Sequence, residues 1–317
     1  MARIAILDDY QNLALTLADW SELRSAHMVT VFDRAITDRH QLIETLLPYD
    51  AVCLMRERTG FGADVIGSLP NLKLIVTAGM RNAAIDIAAA TARGIVVSGT
   101  PQNSHATAEL TLGLMLSLAR HIAAEAASMR AGGWQSTLGS ELAGKTLGII
   151  GLGHLGSKVA AYGHALGMNV VAWSQNLTDA RAEQVGARRL MKDQLFREAD
   201  VITIHVKLSE RSRGLVAERE FELMKPSAMI INTSRGPIID EAALVMALSS
   251  GRIAGAGIDV FDEEPLPGDH PLRREPRALL TPHLGYWTRE NLTVWYKGME
   301  ESVRAWAAGA PIRVLTA

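Results

Sequence analysis

The stretch GSELAGKTLGIIGLGHLG, from Gly139 to Gly156, contains two phosphate-binding patterns one after the other. The first half fits G-x-x-x-x-G-K-[ST], the loop that binds nucleoside triphosphates, and the second half fits G-x-G-x-x-G, the turn that binds dinucleotides. A triphosphate loop must follow a buried strand and begin a helix. Here the preceding AGGWQST is glycine-rich and polar, and Lys145-Thr146 leads into LGII, which is typical of a strand. The context therefore disfavours the triphosphate loop.

The second pattern lies in the context that it requires. KTLGII is a short strand-like run, GLGHLG is the turn, SKVAAYGHALG has helical spacing, and MNVVAW supplies the next strand. Together they form a β-α-β unit of about 30 residues. In such a unit Gly151 allows the tight turn, Gly153 lets the backbone approach a pyrophosphate, and Gly156 lets the helix pack on the strand. The stretch therefore predicts dinucleotide binding.

Length and charge favour a globular enzyme acting on small molecules. With 317 residues the chain is long enough for about two domains. A net charge of −2 gives no electrostatic attraction to nucleic acid or to an anionic membrane. The N-terminal MARIAILDDY predicts a first strand rather than a signal peptide, and no apolar stretch is long enough to span a bilayer. We therefore expect no nucleic-acid or membrane partner.

Cysteine and histidine usage narrows the prediction further. A single cysteine, Cys53, excludes an internal disulfide and suits a reducing cytoplasm. The nine histidines show no spacing typical of metal ligands. We therefore predict a cytoplasmic protein without a metal site.

Two blocks of alternating strands and helices follow from the hydrophobic pattern. In the first block, RIAIL, MVTVF, AVCLM, KLIVT and GIVV are strand runs separated by helix-length segments, which predicts a parallel sheet covered on both faces. Turn residues from Gly99 to Ser104 precede a long helix that is predicted to reach about Arg130, so a domain boundary is expected there. The second block begins with the dinucleotide unit and continues with VITIH, AMIINT, AGAGIDV and ALLTPH.

The last three of these strands end in groups suited to hydride transfer. AMIINTSRG leads to Arg235, AGAGIDVFDEEP contains Asp259 and Glu264, and ALLTPHLG contains His283. Ligands of open α/β sheets bind beyond the carboxyl ends of the strands, where these groups gather. Reduction of a 2-keto acid needs a cation that clamps the carboxylate and polarises the ketone, and an acid that protonates the new alkoxide. Histidine suits that acid at neutral pH, and an adjacent carboxylate favours its protonated form.

The whole set of motifs resembles the D-isomer-specific 2-hydroxyacid dehydrogenases. AELTLGLMLSLAR, GKTLGIIGLGHLG, MKPSAMIINTSRGPIIDEAAL, AGAGIDVFDEEPL and LLTPHLG look like successive signature blocks of that family. The resemblance implies an α/β fold of two Rossmann-like, doubly wound parallel-sheet domains. A cofactor domain, residues 101–285, would be inserted in a smaller flavodoxin-like substrate domain, residues 1–100 plus 286–317. It also implies a homodimer formed through the cofactor domains, with the helix after Ser104 contributing.

The resemblance also implies roles for individual residues. Arg235 would bind substrate, with Glu264 and His283 as the acid/base pair. Further substrate contacts would come from Arg56 and the turn of Gly79, Met80 and Arg81. The implied cofactor-binding residues are Gly151, Gly153, His154, Leu155, Gly156, Ser174, Gln175, His205, Thr233, Ser234 and Asp259, the last contacting the nicotinamide carboxamide.

Two departures from the family pattern bear on specificity. The acidic residue that usually closes the second cofactor strand is replaced by Ser174, followed by the neutral Gln175 and Asn176. An acid there binds the adenosine ribose and repels a 2′-phosphate, so its loss predicts use of both NAD and NADP with a modest lean to NADP. In the substrate turn AGMRNAAID, Arg81 and Asn82 are unusual for the family.

Other classes of protein fit less well. A short-chain dehydrogenase needs a Tyr-x-x-x-Lys pair, which no tyrosine of this chain provides, and a zinc alcohol dehydrogenase needs more cysteines. We predict an NAD(P)-dependent D-2-hydroxyacid dehydrogenase acting on a small 2-keto or 2-hydroxy acid; glyoxylate, hydroxypyruvate, pyruvate and larger keto acids share the group that Arg235 would bind. The alternative is a dinucleotide-sensing, corepressor-like protein of the same fold.

Overall fold

The computed structural model describes residues 1–101 and 105–316, and the chain is divided into two compact units. The discontinuous unit comprises Met1–Asn103 and Thr288–Ala317, and the central unit comprises Ser104–Trp287. The sequence predicted a substrate domain of residues 1–100 and 286–317 and a cofactor domain of residues 101–285; those functional assignments stay predictions. Of the turn predicted from Gly99 to Ser104, residues 102–104 lie outside the described residues.

A five-stranded parallel sheet forms the core of the discontinuous unit. Its strands are β1 (Arg3–Ile6), β2 (Met28–Val31), β3 (Ala51–Leu54), β4 (Leu74–Thr77) and β5 (Val96–Ser98). They pair in the order β2-β1-β3-β4-β5, which is the flavodoxin-like order. Every residue of β3 and β4 is buried, as expected for apolar strands covered by helices on both faces. All five strands coincide with runs predicted from the sequence.

Short helices connect these strands. They are α1 (Ala14–Leu17), α2 (Ser21–Ala26), α3 (Arg39–Leu46), α4 (Ala63–Gly67) and α5 (Ile87–Ala92). Two of them begin at an aspartate whose side chain accepts a hydrogen bond from a free backbone N–H of the first turn: Asp38 at α3 and Asp86 at α5. Such caps stabilise helices that are too short to be stable alone.

The central unit contains a seven-stranded parallel sheet. Its strands are β6 (Thr146–Ile150), β7 (Asn169–Trp173), β8 (Arg188–Arg189), β9 (Val201–Ile204), β10 (Met229–Asn232), β11 (Gly255–Ile258) and β12 (Ala278–Leu280). The order β12-β11-β10-β9-β6-β7-β8 is that of a dinucleotide-binding sheet with one more strand. The order reverses between β6 and β9, and ligands of such sheets bind beyond the carboxyl ends at this point. The two sheets confirm the predicted α/β class and its doubly wound architecture.

The helices of the central unit cover both faces of this sheet. They are α6 (Ala106–Ala119), α7 (Ile122–Arg130), α8 (His154–Ala165), α9 (Asp179–Glu183), α10 (Lys192–Glu198), α11 (Glu218–Leu223) and α12 (Glu241–Ser249). Two 3₁₀ turns, Gly236–Ile238 and Pro271–Arg274, follow β10 and precede β12.

The prediction of one long helix from Ser104 to about Arg130 is wrong. The chain leaves the helix after Ala119, and His121 adopts a left-handed φ of 52° between α6 and α7. The Ala119 carbonyl, which would accept a bond in a continuous helix, instead accepts the N–H of Ser140. A hydrogen bond from a distant loop therefore replaces one within the helix, and an apolar pattern cannot reveal it.

The last helix, α13 (Arg289–Ala307), belongs to the discontinuous unit. Leu292, Trp295, Tyr296, Met299 and Val303 are buried along one side of it, at the spacing of an amphipathic helix. Within the described residues no helix has both the length and the apolar character that crossing a bilayer requires.

Candidate active site

The three glycines of the turn between β6 and α8 differ in how much space the protein leaves for a side chain. Gly151 has a φ of 99°, and a Cβ there would lie 2.8 Å from the carbonyl carbon of His205. A Cβ on Gly156 would lie 2.1 Å from the Gly151 carbonyl oxygen. A Cβ on Gly153, by contrast, would meet no protein atom within 4 Å. The protein's own packing therefore requires Gly151 and Gly156 but not Gly153, which fits a position that a pyrophosphate approaches closely.

The N-terminus of α8 has the character of an anion site. Gly153 provides no capping side chain, and the first turn contains no acidic residue. The first N–H groups of a helix and its dipole favour a negative charge at this end. His154 is exposed and Leu155 is half-buried at the same position. These residues fit the pyrophosphate of a dinucleotide.

No carboxylate follows β7 in the segment where the adenosine ribose is expected. Ser174 is half-buried and its carbonyl accepts the N–H of Leu177, while Gln175 is exposed. The nearest arginine, Arg181 on α9, donates to Ser157 Oγ of α8 at 3.0 Å and to Gln184 Oε1 at 3.1 Å. Its guanidinium is thus held beside the first turns of α8 by neutral oxygen atoms.

The predicted cofactor residues after β9 and β10 make structural hydrogen bonds. His205 lies 2.9 Å from Thr203 Oγ1 through Nε2, and desolvation lowers the pKa of His205 to about 4, so its ring is neutral at neutral pH. Thr233 Oγ1 lies 2.9 Å from Thr111 Oγ1 of α6. Ser234 Oγ donates to the Val206 carbonyl at 2.5 Å. The structure therefore brings these three predicted residues to one edge of the sheet.

Arg235 is positioned through its backbone by a residue that the sequence did not identify. The buried Asn232, at the end of β10, donates from Nδ2 to the Arg235 carbonyl at 2.9 Å and accepts the Ser234 N–H through Oδ1 at 3.0 Å. A Cβ on Gly236 would lie 2.1 Å from the carbonyl carbon of Phe261, so the loops after β10 and β11 touch backbone to backbone. The half-buried Arg235 side chain donates to the Ser234 carbonyl at 2.7 Å.

Asp259 orders the turn that carries His283. Its carboxylate is fully buried and accepts hydrogen bonds from Thr281 Oγ1 at 2.6 Å, from the Leu284 N–H at 2.7 Å and from the Gly285 N–H at 2.8 Å. Burial raises the pKa of Asp259 despite these bonds. The predicted contact of Asp259 with the nicotinamide stays a prediction, and the visible function of this side chain is to shape residues 281–285.

His283 and Glu264 form a close pair at this edge. The His283 Nδ1 atom lies 2.6 Å from Glu264 Oε2, and the Phe261 N–H donates to Glu264 Oε1 at 2.9 Å. Burial acts to raise the pKa of Glu264, but the hydrogen bond and charge of His283, the Phe261 N–H and the charge of Arg235 together lower it below its ordinary value. Glu264 is therefore ionised at neutral pH. A carboxylate on Nδ1 fixes the ring so that Nε2 is the atom that can exchange a proton with a ligand.

Tyr286, which was not predicted as a site residue from the sequence, packs on His283. The Tyr286 ring lies edge-on to His283, with 5.1 Å between the ring centroids. The predicted trio of Arg235, Glu264 and His283 is thus brought together in the central unit, while their catalytic roles stay predictions. Within residues 1–101 and 105–316 no group of histidine, cysteine or acidic side chains is arranged to hold a metal ion.

The predicted substrate residues of the discontinuous unit follow two neighbouring strands. Arg56 comes after β3 and is half-buried, with a left-handed φ of 57°. Gly79 comes after β4 with a φ of 81°, and its N–H donates to Thr100 Oγ1 at 2.7 Å. Met80 and Arg81 are exposed. The carboxyl ends of β3 and β4, which pair directly, therefore bring these residues to one edge of the smaller sheet.

The different packing of two glycines leads to a test of the cofactor site. Gly153→Ala should leave the thermal unfolding midpoint unchanged, because the added methyl meets no protein atom. It should weaken NADH and NADPH binding about tenfold or more, since forcing an extra methyl into a close contact costs about 1–3 kcal/mol. Fluorescence titration and a thermal melt measure the two quantities.

Gly156→Ala is the matched comparison, because its methyl would clash with the Gly151 carbonyl and should lower the unfolding midpoint. If Gly153→Ala bound both dinucleotides as tightly as the wild type, the assignment of this turn to the pyrophosphate would be wrong.

Comparison with known proteins identifies the family. Residues 112–285 match the family model for the D-isomer specific 2-hydroxyacid dehydrogenase, NAD binding domain. The D-3-phosphoglycerate dehydrogenase of Archaeoglobus fulgidus is 40% identical over 278 residues, which are 87% of this chain and 53% of the relative. The corresponding protein of Bacillus subtilis is 35% identical over 98% of this chain and 58% of its own length. The chain thus spans about half the length of these curated relatives.

Solved structures agree over nearly the whole chain. A phosphoglycerate oxidoreductase from Vibrio cholerae is 35% identical, covers 98% of this chain and 100% of that one, and superposes with a TM-score of 0.92. The D-lactate dehydrogenase of Escherichia coli is 26% identical, with coverage of 99% and 100% and a TM-score of 0.83. The chain therefore belongs to the D-isomer specific 2-hydroxyacid dehydrogenases, a family of oxidoreductases with an NAD-binding domain, as its motifs predicted.

Proposed function

We propose that the chain transfers a hydride between a nicotinamide dinucleotide and a small 2-keto or D-2-hydroxy acid. The observation that carries this proposal is the 2.6 Å contact between His283 Nδ1 and Glu264 Oε2. This pair lies in the unit that also contains the glycine-rich turn, and its Glu264 carboxylate is within electrostatic reach of Arg235. An orienting carboxylate, an imidazole and a guanidinium are the groups that ketone reduction needs.

The proposed reaction follows from these three side chains. Arg235 holds the substrate carboxylate and polarises the ketone, because a planar guanidinium can donate to two oxygens at once. The nicotinamide, when bound, supplies the hydride to the carbonyl carbon. His283 gives a proton from Nε2 to the carbonyl oxygen, so that the ketone becomes an alcohol. In the opposite direction the same ring takes the proton from the hydroxyl group, while Glu264 keeps its Nδ1 side in place.

The discontinuous unit is proposed to bind the rest of the substrate. The turn of Gly79, Met80 and Arg81 offers the backbone N–H groups of Met80 and Arg81 and an exposed cation for a carboxylate, while the Gly79 N–H donates to Thr100 Oγ1. Arg56 adds a second cation at the same sheet edge. The relatives named D-3-phosphoglycerate dehydrogenase give a reason to include 3-phosphoglycerate among the substrates tested.

A panel of substrates tests this function. NADH or NADPH mixed with glyoxylate, hydroxypyruvate, pyruvate and larger 2-keto acids should lose absorbance at the nicotinamide band, and 3-phosphoglycerate with oxidised cofactor should give the reverse change. His283→Ala should lower kcat by about 10²–10⁴-fold, the usual loss when a general acid is removed, while dinucleotide binding stays intact.

Two results would contradict the proposal. An unchanged kcat in His283→Ala would remove the acid/base assignment. Tight dinucleotide binding without turnover of any acid would favour the corepressor-like alternative.

For the cofactor we propose use of both NAD and NADP with a modest preference for NADP. The segment Ser174–Gln175–Asn176 contains no carboxylate to bind the ribose hydroxyls or to repel a 2′-phosphate. The Arg181 guanidinium, hydrogen-bonded to Ser157 and Gln184, holds a positive charge beside the first turns of α8. Both features favour a phosphorylated ribose.

Ser174→Asp should reverse the preference. A new charge-assisted hydrogen bond, worth about 1.5–3 kcal/mol, should lower the KM for NADH roughly tenfold to a hundredfold, and the negative charge should raise the KM for NADPH. Asn169→Asp adds the same charge at the opposite end of β7 and should leave both values unchanged. A wild-type preference for NAD above about a hundredfold would show that other residues decide the choice.

We also propose a homodimer formed through the central unit. Helix α7 has no buried residue, and it exposes Ile122 and Met129, while the following loop exposes Trp134 and Leu138. Clustered large apolar side chains on a surface indicate an interface.

We propose a cytoplasmic location as well, because the single cysteine, Cys53, is buried as a free thiol. Recovery of the native protein from a secreted fraction would contradict this location.

Light scattering after size-exclusion chromatography tests the dimer. The wild type should have twice the mass of one chain, and Trp134→Ser should shift it towards the monomer at low concentration. Met246→Ser removes another exposed apolar side chain, on α12, and should leave the mass unchanged. A wild-type protein that elutes with the mass of one chain would refute the proposed interface.

A further inference from the structure

Arg56 has a backbone conformation that its side chain disfavours. Its φ of 57° lies in the left-handed region, where an L-residue other than glycine is strained. Strain of this kind persists only where surrounding contacts hold it, and such positions cluster at functional sites. The contacts that hold Arg56 therefore matter for whatever its side chain does.

The buried side chain of Asn82 makes the contact that holds this conformation. Its Nδ2 donates to the Arg56 carbonyl at 2.6 Å and to Thr77 Oγ1 at 2.9 Å, and its Oδ1 accepts the Ala84 N–H at 2.9 Å. The Asn82 amide thus joins three segments. They are represented by Arg56, in the loop after β3, by Thr77, the last residue of β4, and by Ala84, at the far end of the turn that contains Gly79–Arg81. Asn82 is only 6% exposed, so water does not compete for these bonds.

The Arg56 side chain is itself confined by weaker contacts. Its guanidinium lies 3.4 Å from both Glu57 carboxylate oxygens and donates to the Ala78 carbonyl at 3.4 Å. Its central carbon lies 5.9 Å from the centre of the Trp295 ring. All of these contacts are long, so the direction of the side chain depends mainly on the direction in which the backbone presents it.

We propose that Asn82 is a positioning residue for substrate binding: it holds Arg56 in its left-handed conformation and fixes the turn of Gly79–Arg81 beside it. This inference rests on the proposed function, in which Arg56 and that turn bind the keto acid. Asn82 acts through these groups and not on the reacting atoms. Its loss should therefore change the KM for the keto acid much more than kcat.

Asn82→Asp is the sharpest kinetic test, because aspartate has the same shape and can still accept the Ala84 N–H but cannot donate to the Arg56 carbonyl. We expect the KM for the best keto acid to rise about tenfold to a hundredfold, the range for a misplaced binding group. The KM for NAD(P)H and kcat should change less than threefold. Asn71→Asp is the matched control, because Asn71 also donates an amide hydrogen bond to a backbone carbonyl, that of Leu47, at 2.8 Å. It should leave all three values unchanged.

Thermal unfolding tests the same idea without any turnover. Asn82→Asp should lower the unfolding midpoint by about 2–5 °C, the size expected for one lost buried bond in a chain of this length. In an Arg56→Gly background this drop should persist, because glycine keeps the backbone carbonyl to which Asn82 donates, whereas the further rise in the KM for the keto acid should shrink to less than half, because the side chain that Asn82 positions is gone. In an Arg58→Gly background, where residue 58 has an ordinary φ, both the drop and the rise in KM should remain complete.

The outcomes are distinguishable. An unchanged KM for the keto acid in Asn82→Asp, or a rise in that KM that Arg56→Gly does not reduce, would overturn the inference. If the wild type turned over no acid at all, the proposed function would fail and the substrate part of the inference with it, while the unfolding midpoint of Asn82→Asp would still test the hydrogen bond between Asn82 and the Arg56 carbonyl. Should Asn82→Asp not fold, Asn82→Ala gives the same comparisons.

Discussion

The geometry of the candidate active site depends on one buried carboxylate, that of Asp259. A buried charge is costly unless hydrogen bonds satisfy it, and here the donors are Thr281 and the backbone N–H groups of Leu284 and Gly285. These three donors all belong to the turn after β12, so satisfying the carboxylate fixes the path of that turn. The left-handed φ of 54° at His283 lies within it. The imidazole therefore meets Glu264 because a buried acid at the end of the neighbouring strand has already determined where the backbone runs.

Close backbone contacts also bring together the loops that follow other neighbouring strands. Gly151 touches the carbonyl group of His205 across the turns after β6 and β9, and Gly236 touches Phe261 across the loops after β10 and β11. A side chain at either glycine would push these loops apart. Parallel strands already end on one edge, and the missing Cβ atoms bring the loops beyond them into contact. This arrangement explains why groups distant in sequence, such as Arg235 and His283, act on the same carboxylate.

Local patterns were sufficient to predict the glycine-rich turn, the sequence positions of the polar groups after the last three strands, and the described strands other than β8. That two-residue strand was missed because both of its arginines are exposed and form no apolar run. Periodicity and turn residues act over a few positions, so KTLGII and GLGHLG could be interpreted without the rest of the chain. The break at His121 could not, because it depends on the loop that brings Ser140 to Ala119. Asn232 and Thr281 were missed for the same reason: each looks like an ordinary polar residue at a strand end until its partner is placed in space. That the last helix joins the first hundred residues came from the resemblance to a family and not from any pattern in the helix.

The two arginines expected to bind substrate are held in the same way, although they belong to different sheets. In each case a buried asparagine donates its amide to the arginine's backbone carbonyl: Asn232 to Arg235 at 2.9 Å and Asn82 to Arg56 at 2.6 Å. Anchoring the carbonyl fixes where the side chain begins without using any of the guanidinium donors, which a bond to the side chain would consume. An asparagine can do this where an aspartate cannot, because the amide supplies both a donor for the carbonyl and an acceptor for a nearby N–H. In both loops that acceptor is used, by Ser234 and by Ala84 respectively.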